Sequence, residues 1–236
     1  ASAIIIKYGV CLSFFPPTLW GDIAEVSLTV FWVVGITNAL NFLDGLDGLA
    51  TGISAIVLAC FLVIGILTGQ PIVIALTLAA LGSCLGFLIY NIRPSNIFLG
   101  DAGSNFLGFI LAGFAVFGDW AYNNEVALVV PILILGVPIF DVIFTTIMRV
   151  KSGEVKNLKE WLEYTGKDHF HHRLLDLGFN PLMATIFIYF VSLAIGISAI
   201  VLLKAPLIHA ILLLVQVSII FTLIAALMVA GKKVTR

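Results

Sequence analysis

Charge is what this chain of 236 residues has least of: 11% of it is Asp, Glu, Lys or Arg, against 61% hydrophobic residues and a mean hydropathy of +1.16. A soluble globular domain carries about 25% charged residues, so that class is excluded. The net charge of −1 offers nothing to a nucleic acid, and only the distribution of charge carries information. Cysteine is scarce too. Cys11, Cys60 and Cys84 each sit in an apolar run, which suits small buried residues and shows neither a disulfide framework nor a metal-ligand spacing. No basic region ahead of an apolar one opens the chain. The first run, Ala3 to Phe15, carries Lys7 in its middle and makes a poor signal peptide. It reads as the tail of a helix, and the chain as the C-terminal part of a longer one.

What the chain has in abundance is apolar sequence in stretches near the ~20 residues that cross a bilayer. Candidate spans lie near 25–40, 51–69, 71–90, 105–118, 126–149, 183–203 and 207–230, after a partial helix at 1–15. The expected fold is all-α: a polytopic helical membrane protein with about seven full spans and a partial first one, forming one integral-membrane domain over 1–236. Pro131 and Pro138 should bend the sixth span. Numbering the loops alternately sorts the charges. Ten of the twelve basic residues fall on one side, nine at 91–104, 150–182 and the tail from 231 and Arg149 at its edge, with Lys7 and Lys204 the exceptions. The positive-inside rule makes that side cytoplasmic. In the long loop 150–182, Leu158, Trp161 and Leu162 recur at helical spacing and predict a short helix on the membrane surface, with Tyr164 at headgroup level.

Three stretches on that side carry chemistry. The first is Asn38-Ala-Leu-Asn41-Phe-Leu-Asp44-Gly45-Leu-Asp47-Gly48. A carboxylate in the bilayer centre costs roughly 2.5–3.5 kcal/mol even on insertion scales, so this stretch belongs at an interface or in a wet cleft. A capped helix end would use the same residue types. The second runs from Tyr90 to Ser104 and ends in Gly100-Asp101-Ala102-Gly103-Ser104, ahead of a span. Asp101 is either a cap or a carboxylate at a helix N-terminus suited to a divalent metal and phosphate; the Lys and spacing of a P-loop are missing. The third is Asp168-His169-Phe-His171-His172-Arg173-Leu174. A zinc cluster is one reading, although no cysteine is near; donors converging on a pyrophosphate are the better one. Carboxylates and amides for Mg²⁺, with donors for phosphates, are the equipment of phosphoryl transfer. On a membrane this implies one lipid-borne and one water-soluble reactant. The rival class, a transporter or channel, would place charges along a path near the midplane, and only Lys7 and Asp141 lie inside apolar runs.

The order and spacing of these motifs resemble the polyprenyl-phosphate N-acetylhexosamine-1-phosphate transferases of the glycosyltransferase family 4 type. The motifs are Asn38-x-x-Asn41-x-x-Asp44-Gly-x-Asp47-Gly, Phe98-Leu-Gly-Asp101-Ala-Gly-Ser and His169-x-His171-His172-Arg173-Leu, and the similarity covers essentially the whole chain. The resemblance implies transfer of a sugar 1-phosphate, most like GlcNAc-1-phosphate, from a UDP-sugar to undecaprenyl phosphate, giving a polyprenyl-diphosphate-sugar and UMP. It implies Mg²⁺ on Asp101 and Asn41, the uracil against Asn91 and Phe98, and the pyrophosphate against His171, His172 and Arg173. It makes Asp44 and Asp47 catalytic carboxylates, and Asp141 a structural partner near Arg149. Such an enzyme sits in the bacterial inner membrane with its active site facing the cytoplasm. Its partners are the UDP-sugar, the polyprenyl phosphate, the lipid bilayer and a second copy in a homodimer, with no nucleic acid. Members also carry an adjacent Asp pair in an earlier cytoplasmic loop. No Asp-Asp occurs in this sequence, and the pair is expected upstream of residue 1. Arg173 stands where the branch acting on UDP-MurNAc-pentapeptide has a third consecutive histidine, which favours the GlcNAc branch.

Overall fold

The computed structural model describes residues 18–122, 124–157, 160, 166 and 168–234, and among them there is no strand. The chain runs through α1 (Leu19–Leu43), α2 (Leu49–Thr68), α3 (Pro71–Asn91), α4 (Gly100–Phe117) and three short-linked pieces, α5 (Asn124–Ala127), α6 (Val129–Ile134) and α7 (Gly136–Ser152). From residue 170 onward come α8 (Phe170–Asp176), α9 (Pro181–Val201), a 3₁₀ turn (Leu202–Lys204) and α10 (Leu207–Val234). Six helices among the described residues are long and apolar enough to cross a membrane: α1, α2, α3, α4, α9 with its 3₁₀ turn, and α10. The chain is an all-α, multi-pass membrane protein.

The expected seventh full span is where expectation and structure part. Residues 126–149 form α5, α6 and α7 rather than one bent helix. Pro131 and Pro138 fall in the first turns of α6 and α7, where a missing N–H costs nothing. The helix therefore restarts ahead of each proline, with Leu135 at φ −90° and ψ 14° between the two. The partial helix at 1–15 and the surface helix through Leu158, Trp161, Leu162 and Tyr164 lie outside the described residues.

Two cap residues announce their helices. Thr18 Oγ1 accepts from Gly21 N–H at 3.1 Å to start α1, and Asn180 Oδ1 accepts from Met183 N–H at 2.9 Å to start α9, with Pro181 at the first helical position. Within the spans, hydroxyls bond back to their own helix, as Thr29 to Glu25 O (2.8 Å) and Thr77 to Val73 O (2.6 Å). Hydroxyls bonded in this way present no unsatisfied donor to lipid.

Helix α2 is the hub. Leu49, Ile53, Val57, Leu58, Phe61 and Ile64 are fully buried along it, against α3, α4 and α9. Lipid tails are as apolar as leucine, so close approach at small residues, rather than water exclusion, holds such helices together. A β-carbon on Gly108 of α4 would stand 2.7 Å from Thr37 Cα of α1, and one on Gly196 of α9 would stand 2.6 Å from Cys60 Sγ of α2. Trp32 Nε1 adds a hydrogen bond to Ala112 O at 3.3 Å across the α1–α4 seam.

The two ends of the bundle differ. At one, Gln70 exchanges hydrogen bonds with the Asp119 backbone (2.7 and 2.9 Å), and Tyr122 N–H donates to Leu203 O (3.1 Å). The other end gathers the 44–48 turn, the 92–99 loop and α8, which are the three motif-bearing stretches.

Candidate active site

The centre of the site is a carboxylate pair brought together from α1 and α4. Asn41, in the last turn of α1, donates from Nδ2 to Asp101 Oδ1 (3.3 Å) and to Ser104 Oγ (2.9 Å). Asp101 and Ser104 are helical rather than in a loop, because α4 begins at Gly100, five residues ahead of the span expected at 105–118. Gly100 has φ +65°, a backbone state that glycine adopts without strain. Its backbone N–H lies near Asp44, the residue that follows α1, and favours the charged form of that carboxyl. Asp44 is half-buried and faces Asp101; burial first, and the neighbouring Asp101 charge second, push its carboxyl up from 3.8 to about 6. Two carboxylates that repel each other beside an amide and a helix N-terminus form a hard-oxygen donor set, the kind that suits a divalent cation. Among the described residues no three of His, Cys, Asp and Glu converge on a metal position. The donor set therefore fits a cation that takes one or two protein oxygens and completes its shell with phosphates and water. The three histidines do not assemble a zinc cage: the rings of His169 and His171 lie parallel with centroids 6.3 Å apart.

The turn after Asp44 is held from three sides. Asp47 accepts from Ser95 Oγ at 2.9 Å and from Ser95 N–H at 3.4 Å, tying the turn to the 92–99 loop. Tyr189 of α9 donates to Gly48 O at 2.5 Å, and Gly48 has φ +76°. A β-carbon on Gly45 would collide with His171 Nε2, so the turn and α8 touch with no room between them. His171 is 1% exposed, and neither ring nitrogen has a hydrogen-bond partner among the described residues. Burial, then the flanking His172 and His169, lower its pKa to about 3. His172 packs on it, ring centroids 4.2 Å apart, and is half-buried. Arg173 is turned inward: Nε donates to Asp168 O at 3.2 Å, and its guanidinium lies 5.9 Å from the centroid of the Phe144 ring.

The 92–99 loop carries Phe98, 75% exposed beside the site. Asn91 is buried beneath it. Its Oδ1 accepts from Thr51 Oγ1 (2.9 Å) and its Nδ2 donates to Ile97 O (2.9 Å). The structure thus joins Asn41, Asp44 and Asp101, and joins His171 to the same turn through Gly45. It sets Asp47 and Asn91 as braces of adjoining loops and directs Arg173 into the protein.

One buried group carries more than its sequence position suggested. Asp141, fully buried in α7, lies 2.8 Å from His169 Nδ1 and accepts from Phe170 N–H at 2.6 Å. Arg149 forks onto Asp168, at 2.8 Å from Nε and 2.7 Å from Nη2. The only warning in the sequence was a carboxylate inside an apolar run, which must find a partner or pay for burial.

An open apolar groove of about 1230 Å³ runs between α1 and α7. Val30, Phe31 and Val34 line its wall on α1 and Val142 on α7, and Asn38, Phe42 and Lys156 stand along it toward the site.

Residues 1–119 match the family described as glycosyl transferase family 4. A probable undecaprenyl-phosphate N-acetylglucosaminyl 1-phosphate transferase of Bacillus subtilis is 39% identical over 94% of this chain and 62% of its own. A decaprenyl-phosphate N-acetylglucosaminephosphotransferase of Mycobacterium leprae is 32% identical over 80% of this chain and 52% of its own. A phospho-N-acetylmuramoyl-pentapeptide-transferase of Staphylococcus carnosus is 32% identical over 75% and 51%. The chain thus spans between about half and three-fifths of the length of these relatives. On the match over its first 119 residues, which include the Asn41–Asp101 pair and the Asp44 turn, the chain belongs to glycosyl transferase family 4.

Proposed function

We propose that the protein transfers GlcNAc-1-phosphate from UDP-GlcNAc to undecaprenyl phosphate, at the cytoplasmic face of a bacterial membrane, as a first step in building an envelope polysaccharide. The observation that carries this is the meeting of Asn41, Asp44, Asp101 and His171. They come from three separated stretches, at one end of a bundle of membrane-length helices and beside an apolar groove. In the reaction, an oxygen of the acceptor phosphate bonds to the β-phosphorus of the UDP-sugar. The phosphoanhydride bond breaks, and UMP leaves with the electron pair.

Each residue has a task in that chemistry. Asp101, with Asn41 beside it, would hold Mg²⁺, which when bound neutralises charge on the phosphate oxygens. Asp44, half-buried beside Asp101, is placed to accept the acceptor's proton. His171, neutral near pH 7, can donate one ring N–H to a phosphate oxygen, with His172 packed beside it. Arg173 lends positive charge from within α8 rather than by contact. Phe98 offers a ring face for the uracil, and Asn91 braces the loop that presents it. Asp47 locks the catalytic turn to that loop. The α1–α7 groove gives the acceptor's hydrocarbon chain a path to the site from the membrane.

The test supplies protein expressed from its complete gene with undecaprenyl phosphate, Mg²⁺ and labelled UDP-GlcNAc or UDP-MurNAc-pentapeptide. Lipid-linked product from the first donor is expected. Preference for the second would move the protein to the peptidoglycan-precursor reaction, and transfer from neither would defeat the proposal.

A further inference from the structure

We propose that Asp141, Arg149, Asp168 and His169 form a positioning latch that sets His171 against the Asp44–Gly48 turn, an inference that rests on the phosphotransfer reading above. None of the four is assigned contact with substrate; they act through α8. Both Asp141 oxygens are engaged, one by the His169 ring and one by the N–H of Phe170, the first residue of α8. The start of α8 is thereby fastened to the middle of α7.

The hydrogen bonds assign a tautomer to His169. With Nδ1–H donating to Asp141 at 2.8 Å, Nε2 is left as an acceptor, and Arg149 Nη2 lies 3.2 Å from it. Arg149 is in turn held by its two bonds to Asp168, the residue before His169. The ring is thus fixed along two edges. Phe42 of α1 stacks over its face, with centroids 4.9 Å apart. Two residues further on, no hydrogen bond among the described residues orients the His171 ring, so its orientation rests on packing and on where the start of α8 is held. A carboxylate that fixes the tautomer and orientation of a histidine is a recurrent device wherever imidazole geometry matters.

Asp141→Asn separates positioning from mere folding. The amide keeps the size of the side chain and can still accept from Phe170 N–H. Its other atom becomes a donor facing His169 Nδ1, which forces the proton to Nε2, where it meets a donor on Arg149. We expect kcat to fall about 10- to 100-fold with KM for UDP-GlcNAc within about twofold, since only the placement of a phosphate-facing group changes. In ¹⁵N-imidazole NMR of the protein in nanodiscs, the wild type should show His169 protonated at Nδ1, and Asp141→Asn should lose that signature. With His169→Gln already present, Asp141→Asn should cost less than about threefold more, because the two residues act as one unit.

An unchanged His169 tautomer, an unchanged kcat, or additive losses in the double variant would each overturn the latch. If the wild type transfers no sugar phosphate, the phosphotransfer reading fails and the latch is judged on the His171 signals alone. Asp141→Asn then supports it by shifting or broadening them and overturns it by leaving them in place.

Discussion

Gly45→Ala places one methyl group where the catalytic turn meets α8. Gly45 is not among the glycines with positive φ, so alanine brings no backbone strain there. The whole effect is collision: the new β-carbon would overlap His171 Nε2 and lie 2.7 Å from Cε1 and 3.1 Å from Cδ2. The imidazole has little freedom to swing away, being 1% exposed and packed against His172 at 4.2 Å. The turn must therefore separate from α8 by several tenths of an ångström or more. Overpacking of this kind costs about 1–3 kcal/mol. Displacing positioning groups by about 1 Å costs on the order of 10²-fold in rate. The assay is steady-state transfer in detergent with UDP-GlcNAc and undecaprenyl phosphate, alongside the thermal unfolding midpoint. Gly86→Ala is the control, since nothing lies within 4 Å of its added carbon and replacing a mid-helix glycine is neutral to slightly stabilising. Wild-type turnover by a folded Gly45→Ala protein would refute the claim that the turn and His171 work as one site.

Three further outcomes follow from the same geometry. Asp101→Asn should remove most Mg²⁺-dependent turnover, by about 10²-fold or more, while leaving membrane insertion intact; retained Mg²⁺ dependence would put the cation elsewhere. Asp44→Asn should stabilise the protein without divalent cation at pH 7, because a folded-state carboxyl raised from 3.8 to about 6 resists ionising. The penalty is absent below about pH 3.8, grows as pH rises toward 6 and stays above it, so the gain should vanish toward pH 4; solvent screening keeps it to about 1 kcal/mol or less. An EDTA-containing melting series from pH 4 to 8 reads it, and a flat difference would contradict it. Phe98→Ala should raise KM for the UDP-sugar about tenfold with no loss of stability, the ring being 75% exposed; unchanged KM would remove the uracil from that loop.

Alternating loops and the bias of basic residues were enough to place Asn41, Asp101 and His171 at one end of the bundle, because a chain of membrane-length apolar runs has few ways to arrange its ends. What each residue does there was less legible. Asp101 was legible as a residue near a helix N-terminus, but the span was expected from 105, whereas α4 begins at Gly100 and takes Asp101 into its first turn. The family resemblance makes Asn91 a uracil contact and Asp47 a catalytic carboxylate; in the fold Asn91 also donates to Ile97 O and Asp47 accepts from Ser95, bonds that no spacing in the sequence reveals. Arg173 sits on the inward face of α8, a helix of seven residues, too short for periodicity to reveal its face. Asp141 gave a true signal, a carboxylate with no business in an apolar run, but its partner lies 28 positions away and only the fold could name it.

The central claim is that a sugar phosphate, and not a bare sugar, moves to the lipid. UDP-GlcNAc labelled with ³²P at the β-phosphate tests it most directly, with protein from the complete gene, undecaprenyl phosphate and Mg²⁺. The label should enter the lipid fraction, with unlabelled UMP released in equal amount. Label leaving in the water-soluble product as UDP would mean that the sugar–phosphate bond breaks instead, and would contradict it.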